Sequence, residues 1–302
     1  MPTSDSAVLI NGHTQLVGLF GWPVEHSISP PMHNAAFRAL GLPWCYLPFA
    51  VRPDAIATAL AGARALGLRG LNATVPHKQA LLPLVDELTP AARAIRAVNT
   101  ILFESGRTLG DNTDAQGFVR ALHDEGMDPR GAHALVLGAG GAARAVCYAL
   151  AESGASIAVL NRTPERARSL VAELALQVRA SRLSAGPLDA AAVSAGPSPD
   201  LVVNATNVGM WPQVNASPWP DDAPFPPHAL AYDLIYNPCE TRLMATARAA
   251  GARAANGLRM LVHQGAASFA LWTGIEPPIE IMLGACEHAL RGDEHATLHD
   301  RG

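Results

Sequence analysis

The sequence predicts an α/β fold built in two parts, and three observations carry that prediction. Short apolar runs alternate with Ala-rich segments of helical period along most of the chain. Aromatic residues make up only 5% of the sequence, so Ala, Leu and Val must fill the core, a composition suited to short strands under small-residue helix faces. A glycine-rich turn near residue 138 then opens a fresh strand–helix–strand series.

The elements follow in order. QLVGLFG (15–21) reads as a strand, and PPMHNAAFRAL as a helix with Ser29 at its N-cap, Pro30 at its first position and Gly41 at its stop. WCYLPF reads as a strand, PDAIATALAGARAL as a helix and RGLNATV as a strand. HKQALLPLVDEL has the pattern of a helix that would set Lys78 at its positive end, where a carboxylate is the usual choice. HALVLGAGGAARAVCYALAESGASIAVLNRT is a βαβ unit, followed by a helix in PERARSLVAEL, the runs LVVN and LAYDLIY, and a helix in TRLMATARAA. Residues 210–228 are rich in Pro and Trp and predict a long loop able to border a cleft. Helices in LRMLVHQGAASFALWTG and IEIMLGACEHAL close the pattern, and the polar tail RGDEHATLHDRG predicts a frayed end.

Composition excludes several classes of function. A formal net charge of -4 and the lack of a basic run leave no field for nucleic acid. No apolar stretch approaches the roughly 18 residues that span a membrane, and the first residues lack a targeting pattern, so a cytoplasmic protein is expected. The four cysteines (Cys45, Cys147, Cys239, Cys286) are far apart, without a CxxC pair, and predict buried thiols. His26, His33 and His77 have no metal spacing and read as helix-start or surface residues, so no metal is expected.

Gly138, Gly140 and Ala143 fit G-x-G-x-x-A between a strand and a helix, the context a dinucleotide turn requires. Gly138, Ala139, Gly140, Gly141 and Ala142 would bring backbone N–H groups and the helix N-terminus to a pyrophosphate. An NAD site usually places Asp or Glu at the end of the second strand. This chain has Asn161, Arg162, Thr163 and then Arg166, groups matched to the 2′-phosphate of NADP. A plain helix start with solvated arginines is the alternative, although two cations there oppose the helix dipole.

Several polar motifs are not required by a fold alone: GWPVEHSISPPMHNAAF, GLNATVPHK, AVNT, GDNTDAQGF, GAGGAARA, NRT, NATNVGM, YDLIYNP and GLRMLVHQGAASFALWTG. In this order, and over nearly the whole chain, they resemble the shikimate dehydrogenase family. The resemblance implies a substrate domain at 1–113 and 257–302, formed in part by the returning C-terminal helices, and a Rossmann-like NADP-binding domain at 114–256. It implies reversible hydride transfer between NADPH and 3-dehydroshikimate, on the route to chorismate and the aromatic amino acids, by a monomer or homodimer. Lys78 and Asp114 match the catalytic pair. Ser27 and Ser29, assisted by Tyr236, match the groups that hold the substrate carboxylate. Thr74, Asn99 and Gln264 match those that bond ring hydroxyls, with Asp114 beside them. Thr206, Met210, Leu234 and Gly257 fall toward the nicotinamide end.

Taken singly, these residues have plainer readings: Ser29 as a cap, Thr74 in a strand, Gln264 on a polar helix stripe, Tyr236 in half-buried packing, Asn99 and Asp114 as turn formers. The family carries Gly before AVNT where this chain has Arg96, a change that would reshape the turn leading to Asn99. Quinate dehydrogenase is the neighbouring enzymatic reading, and a metabolite-sensing regulator on the same fold is the reading from another class.

Overall fold

In the computed structural model, which describes residues 10–178 and 182–299, the first sheet grows around a strand buried on both faces, β1 (Gln15–Gly21). Its partners are β2 (Trp44–Ala50), β3 (Gly70–Ala73), β4 (Glu87–Leu88), β5 (Thr100–Glu104) and β6 (Arg107–Asp111), in the order β2-β1-β3-β5-β6-β4. The first three run parallel, so β1 must be covered above and below. β5 turns antiparallel to β3 and β6. Helices α1 (Ser29–Ala39), α2 (Ile56–Ala65) and α3 (Pro90–Ile95) supply the covering faces, with Ile56 and Leu60 of α2 packing on Phe20, Leu71 and Ile101.

The second sheet is wholly parallel. It is built from β7 (His133–Leu137), β8 (Ser156–Asn161), β9 (Leu183–Pro187), β10 (Leu201–Asn204), β11 (Leu230–Asp233) and β12 (Arg253–Ala255), ordered β12-β11-β10-β7-β8-β9. Between them run α4 (Asp114–Asp124), before β7, and α5 (Gly141–Glu152), α6 (Pro164–Ala175), α7 (Ala190–Val193) and α8 (Arg242–Ala249). Counted from β7 this is the doubly wound dinucleotide order, and the strand order reverses between β7 and β10. The last helices are α9 (Leu258–Thr273) and α10 (Ile279–His299). The described chain divides into two compact units, one holding the segments before Asp114 and after Gln264 and the other Asp114–Gln264.

Several expectations give way. Residues 77–88 form no α-helix: bonds from Leu81 N–H to the His77 carbonyl (3.1 Å) and from Leu84 N–H to the Leu81 carbonyl (3.0 Å) mix two turn types, and 87–88 pair as β4. Pro83 has no N–H and its ring opposes a carbonyl four residues back, which interrupts the apolar helical period. Lys78 therefore does not sit at a helix terminus. Ser29 is the first residue of α1, whose cap position is Ile28 without a side-chain cap bond. His33 and His77 are buried, while His26 is exposed. Cys45, Cys147 and Cys286 are buried thiols, but Cys239 is exposed. The tail stays helical to His299, and residues 1–9 and 300–302, including the N-terminal stretch read for targeting, lie outside the described residues. The structure adds α3, β5, β6, α4, β9, α7 and β12, none of which the sequence pattern separates.

His33 is fully buried in an aromatic box, stacked on Tyr46 at 4.3 Å and bordered by Phe37, Phe269 and Trp272. Neither ring nitrogen has a hydrogen-bond partner among the described residues, and burial lowers its pKa to about 3. The folded state holds it neutral, while the unfolded chain takes up a proton below the ordinary value of 6.5. The associated stability is present above pH 6.5 and is lost as pH falls toward about 3, at ~1.4 kcal/mol per unit. His33→Leu should flatten this limb of stability against pH. An unchanged slope between these values in urea titrations would show that His33 does not set it.

Candidate active site

In the first unit the candidate residues gather where β1 and β3 end. Thr74 lies one residue beyond β3, its N–H donating to the Phe20 carbonyl (2.9 Å), and Gly21 leaves room for its methyl, since a Cβ there would stand 2.7 Å from Thr74 Cγ2. Four residues on, the Lys78 carbonyl accepts the Val98 N–H (2.8 Å), which pins the loop beside the Asn99 strand. Ser27 and Ser29 follow β1, and the Ser29 N–H donates to Ser27 Oγ (3.3 Å).

Beneath them lies a buried polar cluster that the sequence reading missed. Tyr46 donates its hydroxyl to Asn72 Oδ1 (2.9 Å) and is also bonded by the Ser29 side chain; burial pushes its phenol well up. Asn72 Nδ2 lies within hydrogen-bond distance of Ser268 Oγ (2.9 Å), Thr100 Oγ1 (3.1 Å) and the Asn99 carbonyl (3.1 Å). Asn99, 2% exposed, accepts at Oδ1 from the Thr113 N–H (2.8 Å) and from Thr100 Oγ1 (2.9 Å), and donates from Nδ2 to Thr113 Oγ1 (3.0 Å). Arg96 takes φ 60 and ψ 41 at the end of α3, the left-handed conformation that glycine adopts most easily.

The second unit holds a groove of about 860 Å³ at its switch point. Gly138, Ala139 and Gly140 line it beside Thr206, with Asn161, Arg162 and Arg166 at the end of β8. Gly138 has φ +111, and a Cβ there would meet Thr206 Cγ2 at 2.8 Å and the Ala205 carbonyl oxygen at 3.1 Å. Gly140, the cap residue of α5, has open space around it, as does Gly141, while Ala143 is fully buried against the sheet. This is a cradle shaped for a diphosphate: backbone and a helix start free of side chains. Asn161 Nδ2 braces the Thr163 carbonyl (2.8 Å). Arg162 and Arg166 are exposed, and among the described residues neither forms an ion pair; Glu165 is taken by Arg168 (3.0 Å).

The far wall of the groove comes from Leu188–Ala190 and Ser217–Asp222, so the Pro-rich loop does border a cleft. Trp219 anchors that loop by packing on Phe225 and donating its indole N–H to the Ala223 carbonyl (3.0 Å), and Arg242 ties Asp221 to α8 (2.7 Å). The Thr206 turn is held by Asn204, whose Oδ1 accepts from the Thr206 hydroxyl (2.7 Å) and whose Nδ2 donates to Asp233 (2.9 Å). Burial raises the pKa of Asp233 against the bonds it accepts from Thr241 (2.6 Å), the Ile235 N–H and Asn204.

Gly141, Ala142, Thr163, Met210, Leu234 and Gly257 are not in the groove lining. Leu234 and Gly257 do meet each other after β11 and β12: a Cβ on Gly257 would run into the Leu234 carbonyl, and the Gly257 N–H donates to the Ile235 carbonyl (3.0 Å). Met210 is 45% exposed. Tyr236 is half-buried beyond β11, Asp114 is the buried first residue of α4, and Gln264 lies on α9 with its amide donating to the Leu261 carbonyl (2.8 Å).

The chain is similar to known proteins over most of its length. Residues 19–101 match the shikimate dehydrogenase substrate binding domain, 122–213 the shikimate/quinate 5-dehydrogenase family and 257–287 the shikimate 5′-dehydrogenase C-terminal domain. Shikimate dehydrogenase (NADP(+)) of Moorella thermoacetica is 50% identical over 276 residues, covering 91% of this chain and 93% of the relative. The crystal structure of shikimate 5-dehydrogenase from Thermus thermophilus in complex with NADP(H) and shikimate superimposes with a TM-score of 0.82 at 41% identity, covering 91% and 99% of the two chains. Quinate dehydrogenase from Corynebacterium glutamicum in complex with NAD gives 0.82 at 34% identity, over 90% and 98%.

The two glycines of the turn should respond differently to alanine. Gly138→Ala imposes a strained φ and a clash, so urea denaturation should show a loss of about 2 kcal/mol. Gly140→Ala should fold with stability within about 0.5 kcal/mol of the parent yet bind the dinucleotide less tightly in titration calorimetry. Equal stability of the two variants would refute the steric argument.

Proposed function

The chain belongs to the shikimate dehydrogenase family, and we propose that it is an NADP-dependent shikimate dehydrogenase, interconverting shikimate and 3-dehydroshikimate. The observation that carries the cofactor reading is the groove at the β7/β10 switch point, with its bare glycine cradle and two guanidiniums that no carboxylate among the described residues neutralises. Gly138–Ala142 and the first N–H groups of α5 would hold the pyrophosphate, Asn161, Arg162, Thr163 and Arg166 the 2′-phosphate, and Thr206, Met210, Leu234 and Gly257 the nicotinamide end. When bound, NADP takes up or supplies the hydride.

The chain's own residues handle the acid, the hydroxyls and the proton. Ser27 and Ser29, with Tyr236, bind the substrate carboxylate by neutral donors. Thr74, Asn99 and Gln264 bond the ring hydroxyls, and the bonds from Thr113 and Thr100 support an Asn99 amide oriented before substrate arrives. Lys78 Nζ takes the hydroxyl proton as the alcohol is oxidised, and the ammonium formed by that transfer stabilises the alkoxide and returns the proton in reduction. Asp114 accepts a hydrogen bond from a neighbouring hydroxyl and orients Lys78.

The direct test is to follow NADPH formation with shikimate and with quinate, each offered NADP and NAD; shikimate with NADP should turn over fastest, and preference for quinate with NAD would overturn the reading. Lys78→Ala should lower kcat by at least about a hundredfold with NADP binding retained; near-normal turnover removes its role. Replacing Arg162 and Arg166 together by Ala should weaken NADP far more than NAD, whereas equal losses contradict a 2′-phosphate site.

A further inference from the structure

We infer that Asp124, His263 and Arg259 are positioning residues that set the face of α9 carrying Gln264. The inference rests on the proposed contact of Gln264 with a substrate hydroxyl and adds what holds that side chain in place. Asp124 closes α4, and its Oδ2 receives two bonds from α9, from His263 Nε2 (2.7 Å) and Arg259 Nη1 (3.1 Å). Residues 259 and 263 are one helical turn apart and share a face, so one carboxylate oxygen gathers both. A carboxylate only accepts, so His263 Nε2 carries the proton.

Two turns earlier on α4, Gly117 lets the α9 backbone come close: a Cβ there would lie 2.7 Å from Gln264 N and 2.8 Å from its Cβ. Gln264 is thus bracketed. Its own backbone rests on Gly117, and the preceding residue is bonded to Asp124. Burial alone would raise the Asp124 pKa, but the bonds and charges of His263 and then Arg259 hold it below the ordinary value. None of the three residues lines the cofactor groove, and the proposed chemistry gives none of them a proton to move. The His263 side chain is 10% exposed and that of Asp124 32%, so the pair is partly shielded from water. Rotation of α9 by a fraction of a turn would carry the Gln264 amide away from its hydroxyl, and a displacement near 1 Å can cost on the order of 100-fold in rate.

The test is a double-mutant cycle on the full-length enzyme, reading kcat and KM for shikimate, the Kd for NADP, and Tm. His263→Leu removes the bond and should lower kcat/KM for shikimate roughly 10- to 100-fold, with NADP affinity unchanged. His263→Gln keeps a donor near the same place and should stay within about threefold of the parent. In a Gln264→Ala background, His263→Leu should add little, because the group it positions is gone. The inference fails if His263→Leu and His263→Gln behave alike, or if the full loss persists in the Gln264→Ala background. Should His263→Leu not fold, Asp124→Asn takes its place in the cycle with the same expected outcomes. Gln264→Ala alone separates the two ideas: an unchanged KM for shikimate removes the role of Gln264 itself, and the inference with it, whereas a raised KM with silent His263 variants removes only the inference.

Discussion

The hydrogen bonds that converge on Asn72 are the constraint on which the substrate side depends. They draw together β2 through Tyr46, the Asn99 carbonyl and Thr100, and Ser268 on α9, and Asn99 in turn bonds Thr113 just before α4. All these side chains are nearly or wholly buried and all are neutral, so the cluster avoids the desolvation cost of an ion pair. Removing one member would leave its partners unsatisfied, at about 1–3 kcal/mol for each orphaned group. Because the members satisfy one another, Asn99 has a fixed amide orientation and Thr113 a fixed backbone, and the residue after Thr113 is Asp114.

The nucleotide side depends on close approach of backbone. Parallel strands with both faces covered present their functional groups at their C-terminal ends, where the connecting loops must pass near one another. Gly138 lets the first loop pass Thr206, and Gly257 lets the segment after β12 lie on Leu234. Asn204, Asp233 and Thr241 then bond the same loops from below. The buried Asp233 carboxylate accepts from three donors, which recover only part of what its loss of water costs.

Local signals made much of this legible. The apolar runs, the Gly-rich turn and the NRT start of α6 identify the doubly wound unit without coordinates. The misread segment is instructive: ALLPLVDEL has a helical apolar period, yet Pro76 and Pro83 leave backbone groups that only turns satisfy, and the last residues are drawn into pairing with β6. Period alone does not weigh that competition. The cluster under Asn99 is invisible for a different reason: Asn72, Thr100 and Ser268 look like ordinary polar residues of strands and a helix, and Asn72 meets Ser268 across 196 positions of chain. Arg96 falls between these cases. Its left-handed φ costs a non-glycine residue roughly 1–2 kcal/mol, so the surrounding turn, not the residue, dictates the shape.

Charge in the cofactor groove shows why composition of a site says less than the bonding of its members. Asp189, Asp221 and Asp222 line it together with Arg162, Arg166 and Arg242, a mixture of signs that by count favours neither cofactor. Asp189, however, accepts the Ala192 N–H (2.8 Å) as the cap of α7, and Asp221 is committed to Arg242. These two carboxylates serve the walls. The guanidiniums of Arg162 and Arg166 follow β8, the strand end where a ribose-binding carboxylate would sit in an NAD site, and Asn161 stands there instead. Under the proposed function Arg162 and Arg166 are the groups that would select a 2′-phosphate, since a guanidinium outside any ion pair among the described residues gains a charge-assisted, bidentate partner when the ligand brings the anion.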